Sequence, residues 1–306
     1  MNARAEVWLD AALLRSPAQP VFGWRASRRL AVLAYHGVDD AGRFASHLDH
    51  LLKVARPVSL DRVLAAFEGG PPLPRRAVLV TFDDGHRSVL ESGLPLLAER
   101  GVPAVAFVVA GLSDSDRPFW WSEVVDLASA GGVVSGLPSP SPEDLVRALK
   151  RVPDDRRASA IEELRRTSSH AAAPVPQLRA EDLRALESGG IAVGNHTWSH
   201  PCLGRCADDV CRDEIERSHR RLVDALGHEP VAFAYPDGDR DVRAAAVLRE
   251  LGYRAAFLFD HRLSPLSPSD PFAVSRLRVN STTTLDRFRT ITSGLHPTVH
   301  RARGGA

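Results

Sequence analysis

The sequence predicts an α/β protein in which helices cover a parallel sheet. Apolar segments of strand length alternate with amphipathic segments of helical length along most of the 306 residues. The strand-like segments are apolar at consecutive positions, which indicates burial on both faces. The repeated order of strand and helix is typical of an α/β barrel or a doubly wound sheet, and periodicity alone does not distinguish these two folds.

The predicted elements follow one another in a regular order. Strands are predicted at residues 30–35, 77–82, 104–109, 191–194, 231–235 and 255–259. The helices predicted between them cover residues 43–54, 89–100, 209–226 and 241–251. Residues 1–29 are predicted to form an N-terminal helical extension, and the main domain is predicted to cover residues 30–300.

The alternation breaks between about residues 131 and 180. Loop-forming residues at 135–140 are followed there by two polar helical stretches, residues 142–150 and 154–166. About fifty residues with few large apolar side chains make a poor independent core. We therefore predict a helical insertion at one edge of the barrel and not a separate domain.

Composition and charge limit the classes of partner and location that we expect for this protein. The 39 basic and 38 acidic residues give a net charge of +1, so there is no reason to predict a nucleic acid or an anionic membrane as partner. Asp10 and Arg15 interrupt the N-terminal apolar stretch, and neither a signal peptide nor a span of about 20 apolar residues is recognisable. We expect a cytoplasmic protein with no transmembrane segment, and the sequence leaves the oligomeric state open.

Three cysteines, Cys202, Cys206 and Cys211, follow a histidine pair. Their odd number argues against a set of disulfides. A zinc site shared with the histidines is an alternative, but no C-x-x-C pair supports it. We favour the interpretation that the three cysteines are small apolar side chains on a loop and a helix.

The candidate chemistry lies at the ends of two predicted strands. Asp83 and Asp84 follow the strand at residues 77–82, and His196 and His200 follow the strand at residues 191–194. The carboxyl ends of parallel strands are where α/β proteins bind ligands. Neighbouring side chains of a strand point in opposite directions, so one aspartate can bind a metal while the other faces a water. A simple Asp-Gly turn and a surface histidine pair remain alternatives.

The histidines at positions i and i+4 would share one face if residues 197–200 began a helical turn. With Asp84 they would form a site of two imidazoles and one carboxylate. This set suits Zn²⁺ and also Co²⁺, Ni²⁺ or Fe²⁺.

These motifs resemble those of a known family. Residues 81–85 (Thr-Phe-Asp-Asp-Gly) and 196–200 (His-Thr-Trp-Ser-His) are similar to the first two signature motifs of the polysaccharide deacetylases, the NodB-homology or family 4 carbohydrate esterases. Further segments that resemble the family are residues 33–38, 117–121, 233–238 and 275–279.

The resemblance implies a distorted (β/α)7-type barrel and hydrolysis of an acetamide on a sugar. It implies that Asp83 is the catalytic base and that Asp84, His196 and His200 hold a divalent metal, which we expect to be zinc. It also implies an oxyanion-stabilising backbone N–H at Asp237 in the third motif, next to Tyr235. We expect the substrate to be a small intracellular saccharide or glycoside. Hydrolysis of another amide or of an O-acetyl ester, and saccharide binding without catalysis, remain alternatives.

The sequence departs from the family pattern in two ways. Many members have an arginine in the third motif that orients the catalytic aspartate, and Ala234 stands at that place. We predict that Arg276, near the end of the closing strand, reaches Asp83 instead. The histidine that protonates the product in many members has no clear counterpart, and His261 and His296 are candidates by position only.

Three further residues are candidates for the cleft. His36 follows the first strand and could line the cleft or be a buried, hydrogen-bonded histidine. Trp120 and Trp121 could stack on a sugar ring, although at least one of them fits equally well in the core.

Overall fold

A computed structural model describes residues 3–137 and 141–302 and confirms the predicted α/β class. The strands are β1 (Arg29–Tyr35), β2 (Arg56–Pro57), β3 (Ala77–Phe82), β4 (Ala104–Val108), β5 (Ile191–Asn195), β6 (Ala232–Ala234), β7 (Ala255–Phe257), β8 (Ser264–Pro265) and β9 (Leu277–Arg278). All six predicted strands are present. The last two of them are two residues shorter than predicted, since Val231 and Tyr235 lie outside β6, and Leu258 and Phe259 lie outside β7.

The parallel strands curl into a distorted barrel. Strands β7, β6, β5, β4, β3 and β1 are neighbours in that order, and all of these pairs are parallel. The chain from Val274 to Arg278 joins the two edges, since Val274 bridges Phe257 of β7 and β9 pairs with β1. The barrel is distorted because β5 and β6 pair at only one position, Asn195 opposite Phe233.

Helices cover the sheet, and each predicted helix has a counterpart. They are α1 (Ala3–Arg15), α2 (Ala18–Ala26), α3 (Ala41–Val54), α4 (Leu60–Phe67), α5 (Leu94–Glu99), α6 (Trp120–Ser129), α7 (Pro142–Leu149), α8 (Asp154–Thr167), α9 (Ala180–Ser188), α10 (Asp208–Leu226), α11 (Val242–Glu250), α12 (Leu285–Thr292) and α13 (Leu295–Ala302). The helix predicted at 89–100 is split, with a π-helical turn at Val89–Gly93 before α5. Among the described residues, no helix combines the length and apolar character that crossing a bilayer requires.

The predicted insertion packs as a small helical layer. Leu145, Leu149, Ile161 and Leu164 of helices α7 and α8 form a buried cluster with α6, which lies before the predicted insertion. Part of the loop predicted before α7, residues 138–140, lies outside the described residues. At the other end of the chain, α1 packs on α12, so the N-terminal helices contact the C-terminal ones. The domain boundaries themselves stay a prediction.

Candidate active site

The carboxyl edge of the barrel brings the two predicted motifs together. Asp83 and Asp84 follow β3, and His196 and His200 follow β5. All four side chains are buried. One nitrogen of each histidine and one oxygen of Asp84 lie within 4.8 Å of one another. These residues are therefore more than a simple Asp-Gly turn and a pair of surface histidines.

Left-handed backbone at Asp84 and Gly85 shapes the first motif. The backbone N–H of Asp83 still donates to Tyr35 O of β1, at 2.9 Å, and so continues the sheet. The next two residues then have φ of 71° and 84°. Aspartate tolerates this region better than most residues, and glycine adopts it freely. A side chain at position 85 would also meet Val108, whose Cγ1 would lie 3.1 Å from the added Cβ.

The second motif is a loop, so the helical turn considered for residues 197–200 does not form. Thr197 and His200 both have left-handed backbone, with φ of 68° and 59°. The Asn195 side chain accepts from the backbone N–H of Thr197 at 2.8 Å, and the Thr197 hydroxyl accepts from that of His200 at 3.0 Å. These local bonds compete with helix formation. They bring the histidine rings to 4.8 Å between centroids without a helix.

The Glu214 side chain of α10 holds this loop in place by hydrogen bonds. Its buried carboxylate accepts from the backbone N–H groups of Trp198 at 3.0 Å and Ser199 at 2.8 Å, and from the Ser199 hydroxyl at 2.6 Å. Sequence reasoning missed this residue because α10 carries many acidic side chains and no motif distinguishes Glu214 from the others. Only the packing of α10 under the loop identifies it.

The histidine nitrogens are arranged to bind a cation. His196 Nδ1 lies 2.8 Å from Ala234 O, which can only accept, so Nδ1 carries the hydrogen and Nε2 has its lone pair available. Nε2 of His196 lies 3.5 Å from Asp84 Oδ1, and Nε2 of His200 lies 3.6 Å from the same oxygen. Within the described part of the chain, neither Asp84 Oδ1 nor His200 Nδ1 has a hydrogen-bond partner. Such buried, unpaired atoms are expected where a ligand binds.

The predicted contact between Arg276 and Asp83 is present. Arg276 is fully buried and donates from Nη1 to Asp83 Oδ1 at 2.6 Å and from Nη2 to Oδ2 at 2.8 Å. Its Nε donates to Leu258 O at 2.6 Å, and Nη1 also reaches the Thr81 hydroxyl at 3.1 Å. The guanidinium thus holds both oxygens of the carboxylate in one plane. This is the contact that we predicted for Arg276 in place of the missing arginine at position 234.

The charges of the site keep both aspartates ionised. Burial by itself raises the pKa of Asp83, but Arg276 and then His196 oppose it, and the net pKa is lowered. Burial also opposes ionisation of Asp84, and the neighbouring imidazoles of His196 and His86 bring its pKa well below the ordinary value. His200 has a pKa of about 4, because of burial and then the neighbouring His196, so its imidazole is neutral. Neutral imidazole is the form that binds a metal.

The two tryptophans, Trp120 and Trp121, both contact His200 but differ in burial. Trp120 is buried, and its indole N–H donates to His200 O at 3.1 Å. Trp121 is half-buried and meets the His200 ring edge-on at 4.7 Å between centroids. Trp120 therefore belongs to the core that positions His200, and Trp121 is the one available to a ligand.

In the third motif the tyrosine ring belongs to the core, and the backbone of the next residues lies at the site. Tyr235 is buried, and its hydroxyl donates to Phe272 O at 3.1 Å, inside a hydrophobic cluster. Asp237 has a left-handed φ of 55° and lies close enough to His200 for its charge to oppose, in part, the lowering of the His200 pKa by burial. Gly238, with φ of 79°, allows this turn to pack directly on the backbone of Phe259. The oxyanion role of Asp237 N–H stays a prediction.

The helical insertion reaches the site through Lys150, which sequence reasoning also missed. The Lys150 ammonium contacts the Asp237 carboxylate, and the Cys202 thiol donates to Asp237 Oδ2 at 3.1 Å. Burial, together with Asp237, raises the pKa of Cys202 to about 12, so this thiol is unreactive. All three cysteines are buried, and all three are free, in agreement with the argument against a set of disulfides.

His36 lies at the same carboxyl edge. It follows β1, is half-buried and meets the Phe259 ring edge-on at 5.5 Å. Its charge contributes to lowering the pKa of both Asp83 and Asp84, so it stands near them. The other two histidines considered from the sequence, His261 and His296, contact each other at 3.2 Å and not the aspartates.

Residues 70–256, more than half of the chain, match the family model described as polysaccharide deacetylase. The chain belongs to the polysaccharide deacetylase family. The structure is similar over 86% of the chain to 98% of a deacetylase from Streptococcus pyogenes, PplD in complex with acetate, with a TM-score of 0.61 and 15% identity. At that identity the likeness concerns the fold, which is the distorted barrel of the family.

Two characterised relatives match shorter parts of the chain. Fifty residues, 16% of the chain, are 44% identical to the poly-β-1,6-N-acetyl-D-glucosamine N-deacetylase of Escherichia coli K12. Another match of 74 residues, 24% of the chain, is 32% identical to chitin deacetylase 1 of Cryptococcus neoformans. These matches cover only 7% and 16% of the two relatives.

Proposed function

We propose that this protein is a metal-dependent hydrolase that removes an N-acetyl group from an amino sugar of a saccharide. The observation that carries the proposal is the pair of adjacent aspartates with different partners. Asp84 faces two histidine nitrogens, whereas Asp83 is held by Arg276. One carboxylate is thus placed to bind a cation and the other to accept a proton.

The residues fit a divalent cation. Asp84 Oδ1, His196 Nε2 and His200 Nε2 would hold it, and the hydrogen bond from His196 to Ala234 O fixes that ring in the correct tautomer. A metal bound there would lower the pKa of a water and polarise the acetyl carbonyl. We propose Zn²⁺ because two imidazoles and one carboxylate with an open position are typical of catalytic zinc, and Co²⁺, Ni²⁺ and Fe²⁺ suit the same ligands.

Asp83 has the properties of a general base. It is buried, ionised and fixed in orientation by two hydrogen bonds from Arg276. We propose that it accepts a proton from the water that attacks the acetyl carbonyl. The C–N bond of the acetamide then breaks, acetate forms, and the amine leaves with one added proton. His36 is our candidate for supplying that proton, because it lies at the same edge and interacts electrostatically with both aspartates.

The proposed substrate class rests on family membership and on an aromatic residue next to the site, Trp121. The two characterised relatives are named for N-acetylglucosamine polymer and for chitin, which share an acetamide on a pyranose. Trp121 is half-buried beside His200 and stacks on Phe119, and we propose that its other face packs on a sugar ring. That the saccharide is small, and that the protein works in the cytoplasm, stay predictions.

Release of acetate from a panel of acetylated compounds tests the proposal. We expect the pure protein loaded with Zn²⁺ or Co²⁺ to release acetate and free amine in equal amounts from N-acetylglucosamine oligomers linked β-1,4 or β-1,6. A chelator and the Asp83→Asn variant should each abolish this release. Hydrolysis of O-acetyl esters or of other amides alone would replace our proposal with those activities. Saccharide binding without any product would identify a non-catalytic binder.

A further inference from the structure

The two histidines of the site are held in different ways. The His196 ring is fixed by the hydrogen bond from its Nδ1 to Ala234 O. Within the part of the chain that the structure describes, His200 Nδ1 has no hydrogen-bond partner. A histidine that binds a metal usually donates its other ring N–H to a partner, and this bond orients the ring. The orientation of His200 therefore depends on how its backbone and the packing of its ring are held.

The backbone of His200 is held at both of its polar groups. It has a left-handed φ of 59°, which persists in a residue with a side chain when the surroundings hold it there. Its N–H donates to the Thr197 hydroxyl at 3.0 Å, within the same loop. Its carbonyl oxygen accepts the indole N–H of Trp120 at 3.1 Å, and Trp120 is the first residue of α6. The position of the His200 carbonyl group thus depends on where the Trp120 ring is held.

Arg157 of the helical insertion packs on the Trp120 ring. Its guanidinium carbon lies over the ring at 4.8 Å from the centroid, and Arg157 is only 6% exposed. A cation over a tryptophan face is held more strongly when it is removed from water. The Asp154 carboxylate, one turn earlier in α8, pairs with the same guanidinium and restrains it. Burial and then Asp154 raise the pKa of Cys206, and the Arg157 charge opposes this shift, so Arg157 also lies near the loop that follows His200.

We propose that Arg157 is a positioning residue for His200 and acts through the Trp120 ring. The inference rests on the proposed function, because it takes His200 as a ligand of the divalent cation. Without the guanidinium the Trp120 ring is less restrained, so His200 is less often in the orientation that binds the cation. Arg157 belongs to α8 and Trp120 to α6, so the helical insertion supports the metal site and does not merely cover one edge of the barrel.

Metal affinity tests this support without any need for turnover. Competition with a chromophoric chelator gives the Kd for Zn²⁺ of the full-length parent and of each variant. Arg157→Met removes the charge and keeps an unbranched side chain, and it should weaken Zn²⁺ binding about tenfold, the lower end of the range for residues that support a ligand. Arg157→Lys keeps a cation and should stay within about threefold of the parent. Trp120→Phe removes the indole N–H and should weaken binding roughly ten- to hundredfold.

The matched control is Arg165→Met, because Arg165 lies on the same helix and pairs with Glu123 of α6 at 2.6 Å and 2.8 Å. It loosens the packing of α8 on α6 at another point and should bind Zn²⁺ as the parent does. The visible spectrum of the Co²⁺-loaded protein, which depends on ligand geometry, should change in Arg157→Met and not in Arg165→Met. Arg157→Gln carries the same expectations and decides the question if Arg157→Met does not fold. Equal Zn²⁺ affinity in the Arg157 and Arg165 variants would overturn the positioning role.

Acetate release, measured beside metal affinity, separates this inference from the proposed function. Acetate release by the parent, with unchanged Zn²⁺ affinity in Arg157→Met, would reject the positioning role alone. Weaker Zn²⁺ binding in Arg157→Met, with no acetate release by the parent from any substrate, would reject the proposed reaction and leave the positioning role standing. A parent protein that binds no divalent metal would overturn both.

Discussion

Replacing Arg276 by glutamine would break the contact that holds the proposed base. The change removes the counter-charge of Asp83, which is itself only 3% exposed, and removes both hydrogen bonds to its carboxylate. Breaking a buried ion pair by removing one partner costs about 3–5 kcal/mol of the free energy of unfolding. That is a large share of the roughly 5–15 kcal/mol that stabilises a typical protein. We expect a melting temperature lower by about 10 °C.

The same change should impair turnover more than metal binding. Asp83 would lose its fixed orientation, and kcat should fall by roughly 10²–10⁴, the range typical of a lost general base. Asp84, His196 and His200 do not contact Arg276, so the bound metal should remain. Elemental analysis measures the bound metal, acetate release measures kcat, and urea unfolding measures stability, all on one preparation.

The pH dependence should move in a defined direction. Burial raises the pKa of Asp83, and Arg276 is the largest influence that opposes it. Without Arg276 the pKa of Asp83 rises, so the acid limb of the rate profile should move to higher pH. In the parent protein, the lowered pKa of Asp83 stabilises the fold above the unfolded-state pKa of about 3.9, and this stabilisation is lost as pH falls further. The difference in stability between parent and variant should therefore shrink in acid.

Arg262→Gln is the matched control, because Arg262 is exposed and lies 3.9 Å from Asp260. It should change stability by no more than about 0.5 kcal/mol. If Arg276→Gln kept parental kcat, pH profile and melting temperature, the assignment of Arg276 as the positioning residue for Asp83 would be wrong.

Three further predictions concern the surroundings of the site. Glu214→Ala leaves buried N–H groups of the histidine loop without an acceptor, so it should cost about 1–3 kcal/mol in urea unfolding and weaken metal binding. Unchanged metal affinity would show that the loop keeps its shape without Glu214. Lys150→Met removes the partner of Asp237 and should lower kcat/KM about tenfold, with little loss of stability because Lys150 is partly exposed. Steady-state kinetics with Lys150→Arg, which should restore most of the activity, checks this. Trp121→Ala should raise KM for saccharides about tenfold with metal content unchanged, and an unchanged KM would place Trp121 outside the saccharide path.

The class of fold could be predicted from the sequence because strands that are buried on both faces appear as runs of apolar residues. Strands β1, β3 and β4 are apolar at nearly every position and are buried on both faces. The closing segment has no such signal, since β9 has only two residues and one of them is an arginine. The family resemblance, and not periodicity, was needed to predict it.

The predicted site residues differ in how well local sequence describes them. Asp83 and His196 follow strands directly, so their positions at the carboxyl edge could be predicted. The path of residues 197–200 could not, because side-chain bonds from Asn195 and Thr197 decide it. Lys150 lies far along the chain from Asp237, and no local pattern indicates that an inserted helix ends there.

Metal content and turnover of the Asp83→Asn and Asp84→Asn proteins test the central claim most directly, namely that two adjacent aspartates have different roles. Each substitution replaces a carboxylate with a neutral amide of the same shape. We expect the Asp84→Asn protein to lose both bound metal and acetate release. The Asp83→Asn protein should retain about one metal ion per chain in elemental analysis and lose turnover by roughly 10²–10⁴. Equal loss of metal in both proteins, or full turnover in the Asp83→Asn protein, would contradict the account.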